Sequence, residues 1–289
     1  MSARPSLRER LSDPSIVVAL GVHDGLTARL AERAGVEAFY HGGYAAAAHH
    51  HGLPDIGMVG LEEMVESVRR VTLVSTRPVI VDCDTGYGAI AGVKRTVQEM
   101  ERAGAGAVQI EDQVFPKRCG HFEGKDVVPL AEMLAKVRAA VDTRRDGDFQ
   151  IVARTDARAV LGLDAALERA QAMIAAGADA TFVEAPTSRD EIGRILRELP
   201  APQIVNIVFG GRTPEVPRSD LAAMGAGVAL YANAALQAAI KGAHEVLGVL
   251  KRDGSLARIG DRLASFEERQ RILRKDHFDA LERRYPAVE

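Results

Sequence analysis

Residues 111–121 read Glu-Asp-Gln-Val-Phe-Pro-Lys-Arg-Cys-Gly-His, which sets an acid pair, a lysine, an arginine and a histidine around one of the chain's two cysteines. Upstream, residues 81–88 read Val-Asp-Cys-Asp-Thr-Gly-Tyr-Gly, an apolar run that stops at paired acids and glycines. Asp82 and Asp84 are two apart and would face the same way on a strand. Two carboxylates that close repel unless a proton or a cation lies between them. Oxygen-only ligands suit Mg²⁺ or Mn²⁺, and Glu111, at the end of the next apolar run, is a natural third ligand. The plainer alternative is that one aspartate caps a helix and the other pairs with Arg or Lys. Cys83, between them, is expected to point away and pack.

Cys119 is the candidate acid/base group. Lys117, Arg118 and His121 are positive neighbours that lower a thiol's pKa, and an easily ionised thiol can give and take a proton. Pro116, Gly120 and Gly124 mark the segment as a polar lid, although an ordinary solvated loop would look the same. Arg154 leaves an apolar run into Thr155-Asp156. It suits either the bidentate grip of a carboxylate or an ion pair with Glu184 or Asp156. Gly42-Gly43-Tyr44, after Tyr40, could cradle an anion with backbone N–H groups. His49-His50-His51 lacks the i,i+4 spacing that would put two histidines on one ion, so a surface helix is expected there.

These groups need a frame. The pattern of charged amphipathic segment, glycine and short apolar run occurs at 34–40, 103–111, 176–184 and 224–231. Each is a helix, a glycine C-cap and a buried strand. Further apolar runs at 16–20, 78–82, 150–153 and 203–207 bring the strand candidates to eight. Helices are expected at 25–34, 61–73, 92–103, 131–142, 164–176, 188–198, 218–224 and 232–251. Strict alternation implies a parallel sheet, and the length fits an α/β fold of the (β/α)₈ barrel type spanning 1–289 as one domain. The 256–285 stretch is a charged, amphipathic helical appendage. The strand candidates end near Tyr40, Asp82, Glu111, Arg154, Glu184 and Asn206, on the rim where barrel active sites lie.

The totals exclude several classes. The 289 residues carry Lys+Arg 37 against Asp+Glu 40, a net charge of −3, with no basic cluster for nucleic acid. No apolar run reaches membrane-spanning length, and the first residues lack a signal-peptide core. Two cysteines make no disulfide framework. The expectation is a cytoplasmic protein acting on a small molecule. No glycine-rich nucleotide loop or serine-hydrolase elbow is present.

The chain resembles the isocitrate lyase/phosphoenolpyruvate mutase superfamily, in the carbon–carbon lyase branch typified by 2-methylisocitrate lyase. The stretches that carry the resemblance are Gly52-Leu53-Pro54-Asp55, Asp82 to Gly88, Glu111-Asp112-Gln113, Lys117 to His121, Ala153 to Ala157, and Asn206 with Gly210-Gly211. The Lys-Arg-Cys-Gly-His stretch is the most specific of these. The resemblance implies Mg²⁺ or Mn²⁺ held by Asp82, Asp84, Glu111 and, further out, Asp55. It implies that Tyr40, Gly42, Gly43 and Tyr44 bind the oxo-acid part of a carboxylate substrate. Arg154 and Glu184 would serve its alkoxide side and Asn206 the departing half, with Arg118, Gly120 and Gly210 beside them. Cys119, tuned by Lys117 and His121, would protonate a carbanion after cleavage of a 2-hydroxy di- or tricarboxylate, with Tyr40 or a metal-linked group as the base. A last helix exchanged between subunits, which the 256–285 appendage suits, in a homotetramer built as a dimer of dimers, is also implied. Three departures bear on the substrate: Phe209 replaces an acid, Gly42 replaces a common Ser, and Gln109 replaces a common His. Oxaloacetate or phosphonate chemistry, and a non-catalytic barrel used as a binding subunit, are the rival expectations.

Overall fold

The computed structural model describes residues 6–118, 120 and 124–285. Eight parallel strands form the sheet: β1 (Val17–Gly21), β2 (Ala38–His41), β3 (Val79–Asp82), β4 (Ala107–Glu111), β5 (Gln150–Thr155), β6 (Ala180–Val183), β7 (Ile204–Asn206) and β8 (Val228–Tyr231). Their order is β6-β5-β4-β3-β2-β1-β8-β7. A parallel bridge between Thr181 and Gln203 joins the two ends into a barrel, so the (β/α)₈ expectation holds.

The helices are α1 (Leu7–Ser12), α2 (Gly25–Arg33), α3 (Gly43–Ala46), α4 (Leu61–Thr72), α5 (Ile90–Arg102), α6 (Leu130–Thr143), α7 (Ala157–Leu161), α8 (Leu163–Ala175), α9 (Arg189–Glu198), α10 (Arg218–Ala223), α11 (Ala234–Asp253), α12 (Phe266–Ile272) and α13 (Lys275–Arg284). The four glycines read as caps, Gly35, Gly104, Gly177 and Gly225, all have positive φ. That left-handed conformation is what ends a helix just before a strand, and glycine adopts it without a Cβ penalty. The short helices α1, α3 and α7 were not evident in the sequence pattern. The appendage is a 3₁₀ segment, Ala257–Arg262, followed by α12 and α13.

Strand side chains alternate between faces, and one parity fills the barrel. Val17, Ala19, Ala38, Ile80, Ala107, Val152, Ala180, Phe182, Ile204, Val228 and Leu230 form the interior cluster, and Leu7 of α1 joins it. The other parity, including Phe39, Val79, Val81, Val108 and Ile151, packs against the surrounding helices. Extending the interior parity to the strand ends reaches Tyr40, Asp82, Gln109, Glu111, Arg154, Glu184 and Asn206. The same alternation that builds the core therefore delivers these polar side chains inward on one rim.

Helix α11 is different from the barrel helices. Of its residues only Leu236 is buried, while Ile240, Leu247 and Leu250 are exposed.

Candidate active site

Strand register sets the first contacts. Glu111 lies opposite Arg154 across β4–β5, and Arg154 Nε is 3.2 Å from Glu111 Oε2. The guanidinium also reaches Asp156 Oδ2 at 2.9 Å and, through Nη2, Glu184 Oε2 at 3.1 Å. The ion-pair alternative for Arg154 is thus realised with both proposed acids at once. Burial opposes the charge on Asp156, but Arg154 and Lys125 outweigh it and hold the carboxyl below its ordinary range. Lys125 Nζ donates to Asp156 Oδ1 at 2.6 Å and to the Gly120 carbonyl at 2.5 Å. A Cβ on Gly120 would lie 2.5 Å from the Glu184 carboxyl and 2.6 Å from Arg154 Nη2. The backbone at Gly120 therefore packs directly on the Arg154–Glu184 pair. Cys119 and His121 lie outside the described residues.

Asp82 and Asp84 do not share a strand face. β3 ends at Asp82, and Asp84 has φ +48°, because the chain turns sharply there, closed by the hydrogen bond from Gly86 N–H to the Cys83 carbonyl at 2.8 Å. The turn still brings both acids to one place. Cys83 is fully buried, as a packing residue should be. Asp55 arrives from the loop after α3 and its π-helical continuation, Ala47–His51. Lys117 Nζ sits between Asp55 Oδ1, at 2.5 Å, and Asp84 Oδ1, at 2.7 Å. Burial works against this ammonium, but Asp84, Asp82 and Asp55 outweigh it and raise its pKa. Lys117 is therefore engaged with the acid cluster rather than standing free beside a thiol.

The cluster has more acid than it can neutralise. Burial pushes the Asp84 carboxyl up to about 7 despite Lys117. Burial likewise raises Glu111 well above the carboxylate range, against the pull of Arg154. Among the described residues, Glu111 Oε1 and Glu184 Oε1 are buried without hydrogen-bond partners, and Asp84 Oδ1 has only its ion pair, off the hydrogen-bond axis. Strained, oxygen-only acceptors of this kind fit a hard divalent cation, so the residues present match the metal expectation.

Tyr40 does not fit a base. Burial and the nearby Asp82 carboxylate raise its phenol well above 10, so it stays neutral. Gln109 Nε2 donates to Tyr40 Oη at 3.0 Å and reaches Asp82 Oδ1 at 3.4 Å, so this departure ties two site residues together below the cavity. Gly43 starts α3, and its N–H points to Asp82 Oδ2 at 3.4 Å. A Cβ on Gly42 would approach the Tyr40 ring to 2.9 Å. Tyr44, Arg118 and Asn206 line the same cavity, which measures about 40 Å³, little more than one water molecule's share of the liquid. Gly210 and Phe209 do not reach it. Gly210 is exposed with open space around it, and Phe209 is 83% exposed.

Sequence reasoning missed Lys125 and the role of Asp112 and Gln113. Asp112 accepts from Thr155 Oγ1, the Asp156 N–H and Arg169 Nε, fixing the β5 end that carries Arg154. Gln113 pairs with the Arg118 backbone twice, at 2.9 Å each way. The Glu-Asp-Gln run was the available signal. The histidine tract is only partly a surface feature, since His50 Nε2 meets Ser67 Oγ at 2.8 Å in a part-buried setting. A larger cleft of about 720 Å³ adjoins Asp84 and Thr85, but Met58, Val59, Leu61, Tyr87 and Phe115 make its walls largely apolar.

Residues 7–250 match the family model for phosphoenolpyruvate phosphomutase. The chain is 40% identical over 285 residues to 2,3-dimethylmalate lyase of Eubacterium barkeri, covering 99% of each. It is 43% identical over 257 residues to 2-methylisocitrate lyase of Aeropyrum pernix, covering 89% of this chain and 82% of that one. Among solved structures, oxaloacetate acetylhydrolase in complex with the inhibitor 3,3-difluorooxalacetate superposes with a TM-score of 0.90 at 32% identity, covering 96% of this chain and 95% of the other.

Proposed function

The chain belongs to the phosphoenolpyruvate mutase/isocitrate lyase superfamily, and from that footing we propose that it cleaves a carbon–carbon bond in a 2-hydroxy di- or tricarboxylate of the 2-alkylmalate or 2-methylisocitrate type. The products are a 2-oxo acid, pyruvate or glyoxylate, and a second carboxylate. The observation that carries this is the packing of Gly120 on the Arg154–Glu184 pair, with Arg118 and Gly120, the sequence neighbours of Cys119, both lining the acidic cavity.

Asp82, Asp84, Glu111 and Asp55 would hold Mg²⁺ or Mn²⁺, which when bound supplies a Lewis acid for the charge that grows on the oxo-acid oxygens. The chain's own groups do the rest. Glu184 Oε1, buried and unpartnered, takes the proton of the substrate's 2-hydroxyl. The bond to the adjacent carbon breaks, its electron pair goes to the departing carboxylate fragment, and the hydroxyl carbon becomes the carbonyl. Cys119 gives its S–H proton to that carbanion and regains one from Glu184 as products leave. Tyr40, neutral and oriented by Gln109, donates to the developing oxyanion. Lys117 balances Asp55 and Asp84. The exposed apolar residues of the 256–285 appendage, Phe266, Phe278 and Leu281, with Ile240, Leu247 and Leu250 of α11 before it, support exchange of this C-terminal part onto a neighbouring subunit in a dimer of dimers.

The test is turnover with Mg²⁺ on 2,3-dimethylmalate, other alkylmalates, 2-methylisocitrate, isocitrate, oxaloacetate and phosphonopyruvate, trapping the 2-oxo acid with phenylhydrazine. Cleavage of a hydroxy acid that Cys119→Ser reduces by at least ~10²-fold, the scale of general acid catalysis, is expected. The likeness to oxaloacetate acetylhydrolase favours a second reading, oxaloacetate hydrolysis. Reaction with oxaloacetate alone, unimpaired in Cys119→Ser, would establish that reading and remove the first.

A further inference from the structure

Outside the acid cluster, a second group of metal-type donors is assembled from the loop after β1 and the π-helical segment Ala47–His51. After β1 the chain runs Val22-His23-Asp24 into α2. Asp24 is the N-cap of α2, and its Oδ1 accepts from the Thr27 N–H at 2.7 Å. That commits one carboxylate oxygen and leaves Oδ2, which faces His49 Nε2 at 3.1 Å. His23 and His49 approach with ring centroids 4.4 Å apart.

His23 is the decisive residue. Its side chain is buried, at 5% exposure, and Nε2 lies 3.0 Å from Thr27 Oγ1. Nδ1 is also buried and has no partner among the described residues. A buried polar atom left unpaired is costly, so its retention calls for an explanation. In the tautomer that gives Nε2–H to Thr27 Oγ1, Nδ1 carries an unshared lone pair. Metal-bound imidazoles are held in the same way, one nitrogen on the metal and the other donating to a fixed acceptor.

We propose that His23, Asp24 and His49 form a site for a borderline transition-metal ion such as Zn²⁺, separate from the oxygen-only acid cluster. One ligand atom from each residue lies within 4.8 Å of the others. Bond lengths of about 2.0–2.1 Å in a tetrahedral site put neighbouring ligand atoms roughly 3.3 Å apart, so the 3.1 Å between Asp24 and His49 is already close to that spacing. Two imidazoles and one carboxylate select Zn²⁺, Ni²⁺, Co²⁺ or Cu²⁺ over Mg²⁺. The side chains of Asp24 and His49 are 28% and 35% exposed, which leaves an entry path and an open fourth position.

The rest of the histidine tract is occupied elsewhere. His50 and His41 share Ser67, and His51 faces Glu63. Only one histidine of the three joins the site, in keeping with the different directions of consecutive helical side chains.

The test uses untagged, full-length protein, stripped with EDTA and returned to excess Mg²⁺ near neutral pH. Co²⁺ is then titrated by visible absorption and displaced by Zn²⁺. One equivalent of Co²⁺ with the strong bands of a low-coordinate, nitrogen-bearing site is expected. His49→Ala and Asp24→Asn should each weaken it by at least ~10–100-fold, the loss that outer-shell changes alone produce. Both side chains reach the surface, and Asn keeps the helix cap, so folding is checked by circular dichroism and is expected to survive. No cobalt band in excess Mg²⁺, unchanged affinity in His49→Ala, or loss of the band in Asp82→Asn instead would each overturn the proposal.

Discussion

Replacing Gly120 by alanine tests whether the packed position of its segment is the reactive one. The new Cβ would meet Glu184 Cδ and Oε2 at 2.5 Å and Arg154 Nη2 at 2.6 Å. Ordinary contact begins at 3.4 Å, so either the segment or the ion pair must retreat by roughly 0.9 Å, at the few-kcal/mol scale of overpacking. The ion pair cannot retreat easily, because Arg154 is also held by Asp156 and Glu111. The segment is held by Lys125 through the Gly120 carbonyl. Overpacking of this kind costs about 1–3 kcal/mol. If the open form escapes that penalty, it falls on kcat/KM, a loss of roughly 5- to 150-fold. The assay is steady-state kinetics on whichever carboxylate turns over, with urea unfolding of the same variant beside it. Unchanged kcat/KM together with lowered stability would refute the reasoning, since the clash would then belong to the fold and not to a reactive closed state.

Three further outcomes follow from buried charges. Lys125→Met removes one of the two cations on fully buried Asp156 and leaves it to Arg154; losing that charged hydrogen bond should destabilise the protein by about 1.5–3 kcal/mol in urea unfolding. Mg²⁺ should raise the unfolding free energy of wild type, by about 2.7 kcal/mol at a hundredfold excess over Kd, and Asp82→Asn should abolish most of that gain in thermal scans. His41 is fully buried, between the Val22 carbonyl and Ser67 Oγ, and burial lowers its pKa from 6.5 to about 4. The unfolded imidazole therefore takes up a proton first as pH falls, so this contribution is complete above pH 6.5 and is lost towards pH 4. The slope is about 1.4 kcal/mol per pH unit. His41→Gln should lose less stability than wild type between pH 6.5 and 5; equal losses in urea titrations would show that His41 is not the group responsible.

The barrel was legible because its rules are local. Four glycines after amphipathic segments marked helix ends, and Gly35, Gly104, Gly177 and Gly225 all adopt the expected left-handed backbone. The period-two alternation that hides Ile80, Ala107, Val152 and Phe182 also predicts which rim residues turn inward. The acid cluster was legible only in part. Asp82, Glu111, Arg154 and Glu184 sit at strand ends, where parity and register decide their contacts. Asp84 and Lys117 come from loops. The left-handed turn at Asp84 and the reach of Lys117 into the acids depend on tertiary packing that no spacing encodes. For the same reason the histidine tract gave no sign of His23 and Asp24, which meet His49 only when β1 and β2 lie side by side.

Charge accounts for why these loops settle where they do. Asp55, Asp82, Asp84, Glu111, Asp156 and Glu184 are all buried around the rim, against the cationic side chains of Lys117, Lys125 and Arg154. Lys125 and Arg154 satisfy Asp156, and Arg154 also serves Glu184 and one oxygen of Glu111. Among the described residues, Lys117 alone serves Asp55 and Asp84, and Asp82 has only dipoles, from Gly43, Gln109 and its own turn. The deficit therefore falls on the Asp82, Asp84 and Glu111 side of the cavity, not on the side of Glu184. Protons can relieve it, which is what the raised affinities of Asp84 and Glu111 express. A divalent cation would relieve it without making the acids donors, and would leave Glu184 Oε1 free for the substrate hydroxyl. On the proposed function, the asymmetry of charge across one small cavity would separate a metal side from a proton-transfer side.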